Sequence, residues 1–399
     1  MKIFEIGTGY TSIPAKIGAA TEIVVEELTR SMMKRDIDVT IVDIKDKNRQ
    51  ISDLPIVEVY MPRFLAVTDI KLGIVHKLKR VLYSVSLSFK LWKLVKRQRD
   101  DKIILHFHNQ YNLFFFFKFT HKKFREKLTI AYTNHSYIWF GEWDNIKDII
   151  SKRYFQEVYC CRNADKVFVL NDITADHLIN KLGVDKRCIV KIINGVNIDV
   201  YNEKNVDTIS LQKFKNDYKL NGKKVILQVG SVSDRKNQRG SLELLLPILK
   251  KDKNIIYAYA GGIIDTAYVK TVNQIARERE VEKQVMYWGE SSPGKHLNLL
   301  YTCSYATIVN STSEAFSLVI AESMSASRPV LINSSILDSL FWEEIEGHGI
   351  IRIKEDFETV IQKEILDESN YQTHKTKGRD FIVQSLSWDI ATEKYINNF

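Results

Sequence analysis

The sequence predicts an α/β protein of two domains, each a parallel β-sheet with helices packed on its faces. Three observations lead there. A chain of 399 residues exceeds what one ordinary hydrophobic core holds. Its opening reads strand, loop, helix, strand: KIFEIG over 2–7, a helix over 21–34 with Ile23, Leu28 and Met32 spaced for burial, then VTIVDI over 39–44. Parallel strands joined by helices stack as a layered sheet. The second half repeats short apolar runs that end on glycine, over 224–230, 254–262 and 284–290. Ligands of open α/β sheets bind at such strand ends.

Composition narrows the class. Hydrophobic residues make up 45% of the chain, with 17 Gly and only 6 Pro, which describes a globular protein and not a disordered one. Cys160 and Cys161 are adjacent while Cys188 and Cys303 stand alone, so neither a disulfide framework nor a zinc spacing is present, and a reducing cytoplasm is expected. MKIFEIG runs straight into a strand pattern, so no secretion signal is expected. No apolar run approaches the ~20 residues that span a bilayer. The net charge of +9 is unevenly placed: residues 1–200 hold 33 Lys and Arg against 23 Asp and Glu, and the remainder holds 25 against 26. One basic half points to an anionic partner for that half alone.

In order along the chain, the first loop ends at Gly18-Ala19-Ala20 and lacks a full Gly-x-Gly-x-x-Gly, which argues against a nicotinamide cofactor. The helix-to-strand turn holds Asp36-Ile37-Asp38, where polar residues are ordinary. Residues 71–99 carry nine Lys or Arg and no acid, with Val75, Leu78, Leu82, Val85, Phe89, Trp92 and Val95 at three- and four-residue steps. That is a basic amphipathic helix with two readings: it lies on anionic lipid, or it packs on the core with a solvated basic back. The block Asn112-Leu113-Phe114-Phe115-Phe116-Phe117-Lys118-Phe119, followed by HKKFREK, favours the lipid surface. Nucleic acid is the rival reading of aromatic and basic sequence, but no RNA-binding signature accompanies it and no nucleic-acid partner is expected.

His106 and His108 close the strand IILHFH and share one face, but the sequence shows no third ligand, so no metal is expected. The strand LTIAYTNH over 128–135 ends on His135, whose imidazole either finds a backbone partner or meets a ligand. Strand KVFVLN over 166–171, a helix from Thr174 and strand IVKIIN over 189–194 complete the first half, and Asn194-Gly195 is a turn signal. With no internal repeat or low-complexity linker, topology sets the boundary near 200.

The second half opens with KVILQVGSVSDRKNQ over 224–238, a buried strand, the Gly230-Ser231 loop and a basic cluster, Arg235, Lys236 and Arg239. Gly261 and Gly289 end the next two strands. A helix over 296–303 leads to residues 305–334, where strands 306–309 and 330–332 bracket a polar turn, Ser311 to Glu314, and the helical spacing Leu318-Val319, Glu322, Met324. A helix start of this kind offers free N–H groups and a positive dipole end to an anion. Glu314 and Glu322 lie eight residues apart, about two turns along one helix face; they are either a solvated face or a pair of ligand contacts. GIIRI over 349–353, helices near 356–368 and 371–384, and a last helix in SWDIATEKYINNF follow.

SEAFSLVIAESMSASRPV resembles the donor-site segment of retaining GT-B glycosyltransferases, especially glycosyltransferase family 4. The family pattern is Glu, seven residues, Glu, with a Gly-Phe-Gly-like stretch after the first Glu and Gly-x-Pro-Val at the end. Glu314, Phe316, Glu322 and Pro329-Val330 match, while Ala315, Ser317 and Ser327 stand where glycine is usual. Lys236 matches the lysine of the pair that holds the donor diphosphate; Ser231 stands at the arginine, leaving Arg235 or Arg239 to supply the second charge. Asn194-Gly195-Val196-Asn197 with Tyr201 resembles the family's crossing into the second domain.

The resemblance implies a GT-B fold: two Rossmann-like domains with parallel sheets facing across a cleft, 1–200 binding the acceptor, 201–384 binding a nucleotide sugar, and 385–399 a helix crossing back to the first. It implies transfer of a sugar from a UDP- or GDP-sugar, with no cofactor, to a glycan or lipid-linked acceptor at the inner face of the cell membrane, the protein being cytoplasmic and peripheral. Glu314 and His135 would be catalytic. Lys236, Arg235, Gly230, Gly261, Gly289, Phe316, Ser317, Leu318 and Glu322 would bind the donor, and Gly18 the acceptor or a phosphate. Two other readings stand beside it: a non-catalytic GT-B-like partner of an active transferase, which the replaced glycines favour, and a nucleotide-sugar epimerase, which leaves the basic helix unexplained.

Overall fold

The computed structural model describes residues 1–15, 19–61, 74–340, 342 and 345–399. The chain forms two compact units, Met1–Asn194 with Trp388–Phe399, and Gly195–Ser387. The first carries β1 (Lys2–Ile6), β2 (Asp38–Ile44), β3 (Ile56–Val59), β4 (Ile103–Phe107), β5 (Thr129–Asn134), β6 (Lys166–Val169) and β7 (Ile189–Lys191). They pair in the order β3-β2-β1-β4-β5-β6-β7, parallel throughout. The second carries β8 (Lys224–Val229), β9 (Ile255–Ala260), β10 (Val285–Tyr287), β11 (Ala306–Val309), β12 (Val330–Asn333) and β13 (Ile350–Ile353). Their order is β10-β9-β8-β11-β12-β13, again parallel.

Strands β1, β4, β9 and β11 are buried at every position, which is why they read as apolar runs without alternation. In each sheet the strand order reverses once, between β1 and β4 and between β8 and β11. Loops leaving two strands at such a reversal diverge to opposite faces and leave a crevice at the strands' C-terminal ends. That geometry places both groups of site residues described below.

The helix Ile74–Arg97 corrects the face read from sequence. Its core side is Tyr83, Leu87, Leu91 and Val95, with Ser84 and Ser88 between them. The serine hydroxyls are hidden by bonding back to the helix, Ser84 Oγ to the Arg80 carbonyl at 2.9 Å and Ser88 Oγ to that of Ser84 at 2.8 Å. Of the predicted stripe, Val95 is buried, whereas Leu78, Leu82, Phe89 and Trp92 stand exposed, and the Val75 side chain lies outside the described residues. The helix therefore has two apolar faces. The phenylalanine block also differs: it forms the helix Gln110–Phe119, whose first turn is capped by the Asn109 side chain accepting from the Tyr111 N–H at 2.9 Å. Leu113, Phe116 and Phe117 enter the core and Phe114 packs against it, so of the block's apolar side chains Phe119 alone stands exposed, 6.5 Å from the Phe89 ring.

The final helix, Trp388–Asn398, packs in the first unit. Ser31 Oγ donates to Asp389 at 2.9 Å, and the Tyr395 and Phe399 rings lie 5.3 and 5.2 Å from the His106 ring.

One buried acid of this unit has a measurable signature. Glu157 is fully buried; Trp139 Nε1 and the Tyr132 hydroxyl donate to its Oε1 at 3.3 and 3.4 Å, and its Oε2 has no partner among the described residues. Burial pushes it up to about 7. The folded chain then holds a proton that an unfolded carboxyl gives up near its ordinary 4.5, so this stabilisation is complete below pH 4.5 and is lost as pH rises through 7. Glu157→Gln is expected to remove about 3 kcal/mol of that pH dependence. Its melting temperature relative to the wild type should rise between pH 5 and pH 8; a constant difference contradicts the assignment.

Candidate functional site

In the second unit β8 and β11 are neighbours, so the loops that follow them meet. Gly230 and Gly261 take φ of 142° and 144°, and a Cβ on Gly261 would lie 2.1 Å from the Gly230 carbonyl oxygen. Only glycine lets these two strand ends pass. Beyond Gly230 a single turn, Asp234–Lys236, is held from below: the Tyr257 hydroxyl donates to Gln228 Oε1 at 2.7 Å, and Gln228 Nε2 donates to the Lys236 carbonyl at 2.6 Å. Asn237 is left-handed at φ 57° and caps the helix Gln238–Lys251 by accepting from the Gly240 N–H at 3.1 Å.

This turn delivers two cations to Glu314. Lys236 Nζ lies 2.5 Å from Glu314 Oε1; Arg235 Nη1 lies 3.7 Å from it and donates to the Ser313 carbonyl at 2.9 Å. Burial alone would raise the Glu314 carboxyl, but Lys236 and Arg235 hold it below its ordinary value, so it is ionised. Of the two arginines considered for the second charge, Arg235 is the one brought to Glu314. The backbone N–H of Arg239 is engaged with the Tyr268 hydroxyl.

The helix Leu318–Ser325 begins after Glu314, which corrects the placing of Glu314 and Glu322 on one helix face. Ser317, its N-cap, is left-handed at φ 67°, and so is Ser327 at φ 59°. Both serines thus adopt the backbone that glycine would supply, at a cost of about 1 kcal/mol each. The turn is fixed by Trp342, whose Nε1 donates to the Phe316 carbonyl at 2.7 Å while its ring lies 5.1 Å from that of Phe316. The N–H groups of Phe316, Ser317 and Leu318 have no partner among the described residues, nor has the buried Ser317 hydroxyl. Unspent donors at the positive end of a helix, two residues from a lysine–glutamate pair, are chemically suited to an anion. Glu322 is buried further along, accepting from the Tyr301 hydroxyl at 2.9 Å. Gly289, in the turn after β10, takes φ 82° and faces open space.

In the first unit the β1–β4 register sets Glu5 opposite His106. Glu5 Oε1 lies 3.0 Å from His106 Nδ1 and Oε2 2.7 Å from His108 Nε2. His108 Nδ1 lies 2.9 Å from Nε2 of His135, and His106 Nε2 2.7 Å from the Thr133 hydroxyl. Burial would raise Glu5, but His106 and His108 hold it at about 2. Burial, with His106 beside it, lowers His108 to about 4, and burial followed by His108 and His106 pushes His135 well below the imidazole range. The sequence shows His106 in β4 and His108 just beyond it, but not Glu5; the only signal is an acid inside an otherwise apolar strand. Glu22, bonded to the Thr8 hydroxyl and raised by burial to about 7, is another buried acid that sequence reasoning passed over. Gly18 lies outside the described residues.

The model of Glycosyltransferase Family 4 matches residues 21–200 and that of Glycosyl transferases group 1 matches residues 211–337. No curated protein matches the chain by sequence. Among solved structures, the sucrose-phosphate synthase of Thermosynechococcus elongatus is 16% identical with a TM-score of 0.74, over 99% of this chain and 97% of that one. HepE of Anabaena, solved with UDP and glucose, is 15% identical with a TM-score of 0.71, over 100% and 98%. The catalytic domain of starch synthase IV of Arabidopsis thaliana, bound to ADP and acarbose, is 13% identical with a TM-score of 0.76, over 100% and 98%. The two parallel sheets of this topology and these likenesses give the chain a GT-B fold. The two sequence models together span most of the chain: it is a glycosyltransferase, and its first half resembles glycosyltransferase family 4.

Proposed function

We propose that the protein moves a sugar from a UDP- or GDP-sugar, with retention of configuration, to a glycan or lipid-linked acceptor at the cytoplasmic face of the membrane. The observation that carries this reading is the Lys236–Glu314–Arg235 cluster beside the open helix start at Ser317. A nucleoside diphosphate is a leaving group that gathers negative charge as its bond to the sugar breaks, and fixed cations and N–H groups stabilise it most in that state. Glu314, ionised, orders sugar hydroxyls near the reacting carbon; Glu322 serves the ribose; His135, neutral, accepts a hydrogen bond from a sugar hydroxyl. The left-handed Ser317 and Ser327 keep the backbone course that the replaced glycines would give, which favours an enzyme over a non-catalytic partner. Purified protein incubated with UDP- and GDP-sugars should release nucleoside diphosphate. No release from any donor, even with a lipid-linked acceptor extract, would favour the partner reading.

The membrane role draws support from the exposed face of the helix Ile74–Arg97. Leu78, Leu82, Phe89 and Trp92 form with Phe119 an exposed apolar patch, and Lys93 and Lys96 are exposed beside it, Lys96 Nζ standing 3.7 Å from the Trp92 ring centroid. Among the described residues no helix is long and apolar enough to cross a membrane. Each lysine near an anionic surface contributes about 1 kcal/mol, so replacing Lys90, Lys93 and Lys96 by glutamine should weaken binding to phosphatidylglycerol-containing vesicles about 100-fold. Undiminished vesicle binding in a sedimentation assay would move the membrane surface elsewhere.

A further inference from the structure

We propose that Glu5 and His108 are positioning residues that lock His135 as its Nε2–H tautomer, so that the bare Nδ1 is the nitrogen offered to a ligand hydroxyl. The inference deepens the role given to His135 above and rests on that reading. Its starting point is the asymmetry of a carboxylate, which accepts hydrogen bonds and donates none. Glu5 is completely buried and ionised, so both imidazoles that touch it must donate: His106 from Nδ1 and His108 from Nε2. A neutral imidazole carries one proton. His108, with its proton committed to Glu5, therefore has a lone pair on Nδ1, and the ring that meets it at 2.9 Å must donate. That ring is His135, whose proton is thereby drawn to Nε2. Its Nδ1 makes no hydrogen bond among the described residues, and the side chain is only half-buried. Order in the chain runs from the charge outward, and each tautomer dictates the next.

The rest of the network holds the chain rigid. The Thr133 hydroxyl bridges His106 Nε2 at 2.7 Å and the Tyr395 hydroxyl at 3.3 Å, and Phe168, Tyr395 and Phe399 pack around the His106 ring. The last helix of the protein thus closes over the relay. Glu5, His106 and His108 are also near enough to surround one cation. Both Glu5 oxygens and all four ring nitrogens of the two histidines are nevertheless already hydrogen-bonded, and no fourth protein ligand of the kind a structural zinc needs joins them among the described residues.

Two measurements test the proposal. In the full chain labelled with 15N-histidine, two-bond proton–nitrogen correlation at pH 7.5 should show His106 protonated on Nδ1, and His108 and His135 each protonated on Nε2 alone. A proton on Nδ1 of His135, or two on His108, overturns it, as does a stoichiometric metal that replaces the N–H protons facing Glu5. The second is a double-mutant cycle on donor turnover. His135→Ala should lower kcat about 100-fold, within the range for a lost proton-transfer or hydrogen-bonding group, and His108→Phe about 10-fold to 100-fold, the range for an outer-shell partner. In the His135→Ala background, His108→Phe should lower kcat less than twofold further, because it acts only through that ring. Losses that multiply in the double variant mean that His108 acts structurally, which overturns the proposal. If His108→Phe does not fold, the wild-type tautomers still decide. If no donor is turned over, it is the enzymatic reading that fails, and the nitrogen spectra test the relay on their own.

Discussion

Glu314→Gln is expected to separate binding from turnover: affinity for the nucleoside diphosphate rises about threefold to tenfold while transfer falls at least 100-fold. In the folded protein Glu314 is a buried carboxylate whose charge is met by Lys236 at 2.5 Å and Arg235 at 3.7 Å. An incoming diphosphate competes with that carboxylate for the same cations. An amide of the same shape releases both to the ligand, which tightens binding of the product and of the donor's diphosphate portion. Turnover moves the other way, because an interaction felt at the reacting carbon is lost while ground-state binding is kept, and such losses appear in kcat. Calorimetry with UDP and GDP reads the first effect and nucleotide release from the donor reads the second. Unchanged kcat would remove Glu314 from the chemistry.

Lys236→Ala should be costly in two independent ways. Diphosphate affinity is expected to fall about 100-fold, since a charge-assisted contact is lost from a partly buried seat. Folding stability should also fall, by about 1–3 kcal/mol, because the buried Glu314 carboxylate keeps only the more distant Arg235. The pair's stabilisation is present above the ordinary carboxylate range and lost on acidification, as the lowered Glu314 value requires, so the deficit of the variant should shrink as pH falls below about 4.5. The double variant Lys236→Ala/Glu314→Gln should recover thermal stability without recovering affinity. If affinity returns with stability, the lysine shapes the fold and does not hold phosphate.

Much of this arrangement is legible in the chain because buried parallel strands announce themselves. IIYAYA and ATIV have no polar alternation to confuse them, and the polar turns that follow β8 and β11 carry Lys236, Arg235 and Glu314 in plain view. Other features depend on contacts that no local pattern carries. Glu5 looks like a polar interruption of β1 until the register with β4 places it against two histidines 101 and 103 residues away. The core side of the helix Ile74–Arg97 was hidden because Ser84 and Ser88 sit on it, their hydroxyls satisfied within the helix, while an equally regular apolar row faces outward. Five phenylalanines within six residues have no period to read, so their helix and its burial come only from packing. Ser317 and Ser327 show the converse: the sequence marks glycines as replaced, and only the backbone angles reveal that the left-handed turns persist.

A grip on diphosphate by Lys236, Arg235 and the helix start at Ser317 is open to direct measurement. Binding of UDP, GDP and ADP should be compared with that of uridine, guanosine and adenosine by calorimetry on the full chain. At least one diphosphate should bind about 100-fold tighter than its own nucleoside, with the advantage lost in Lys236→Ala. Diphosphates that bind no better than their nucleosides would contradict that grip.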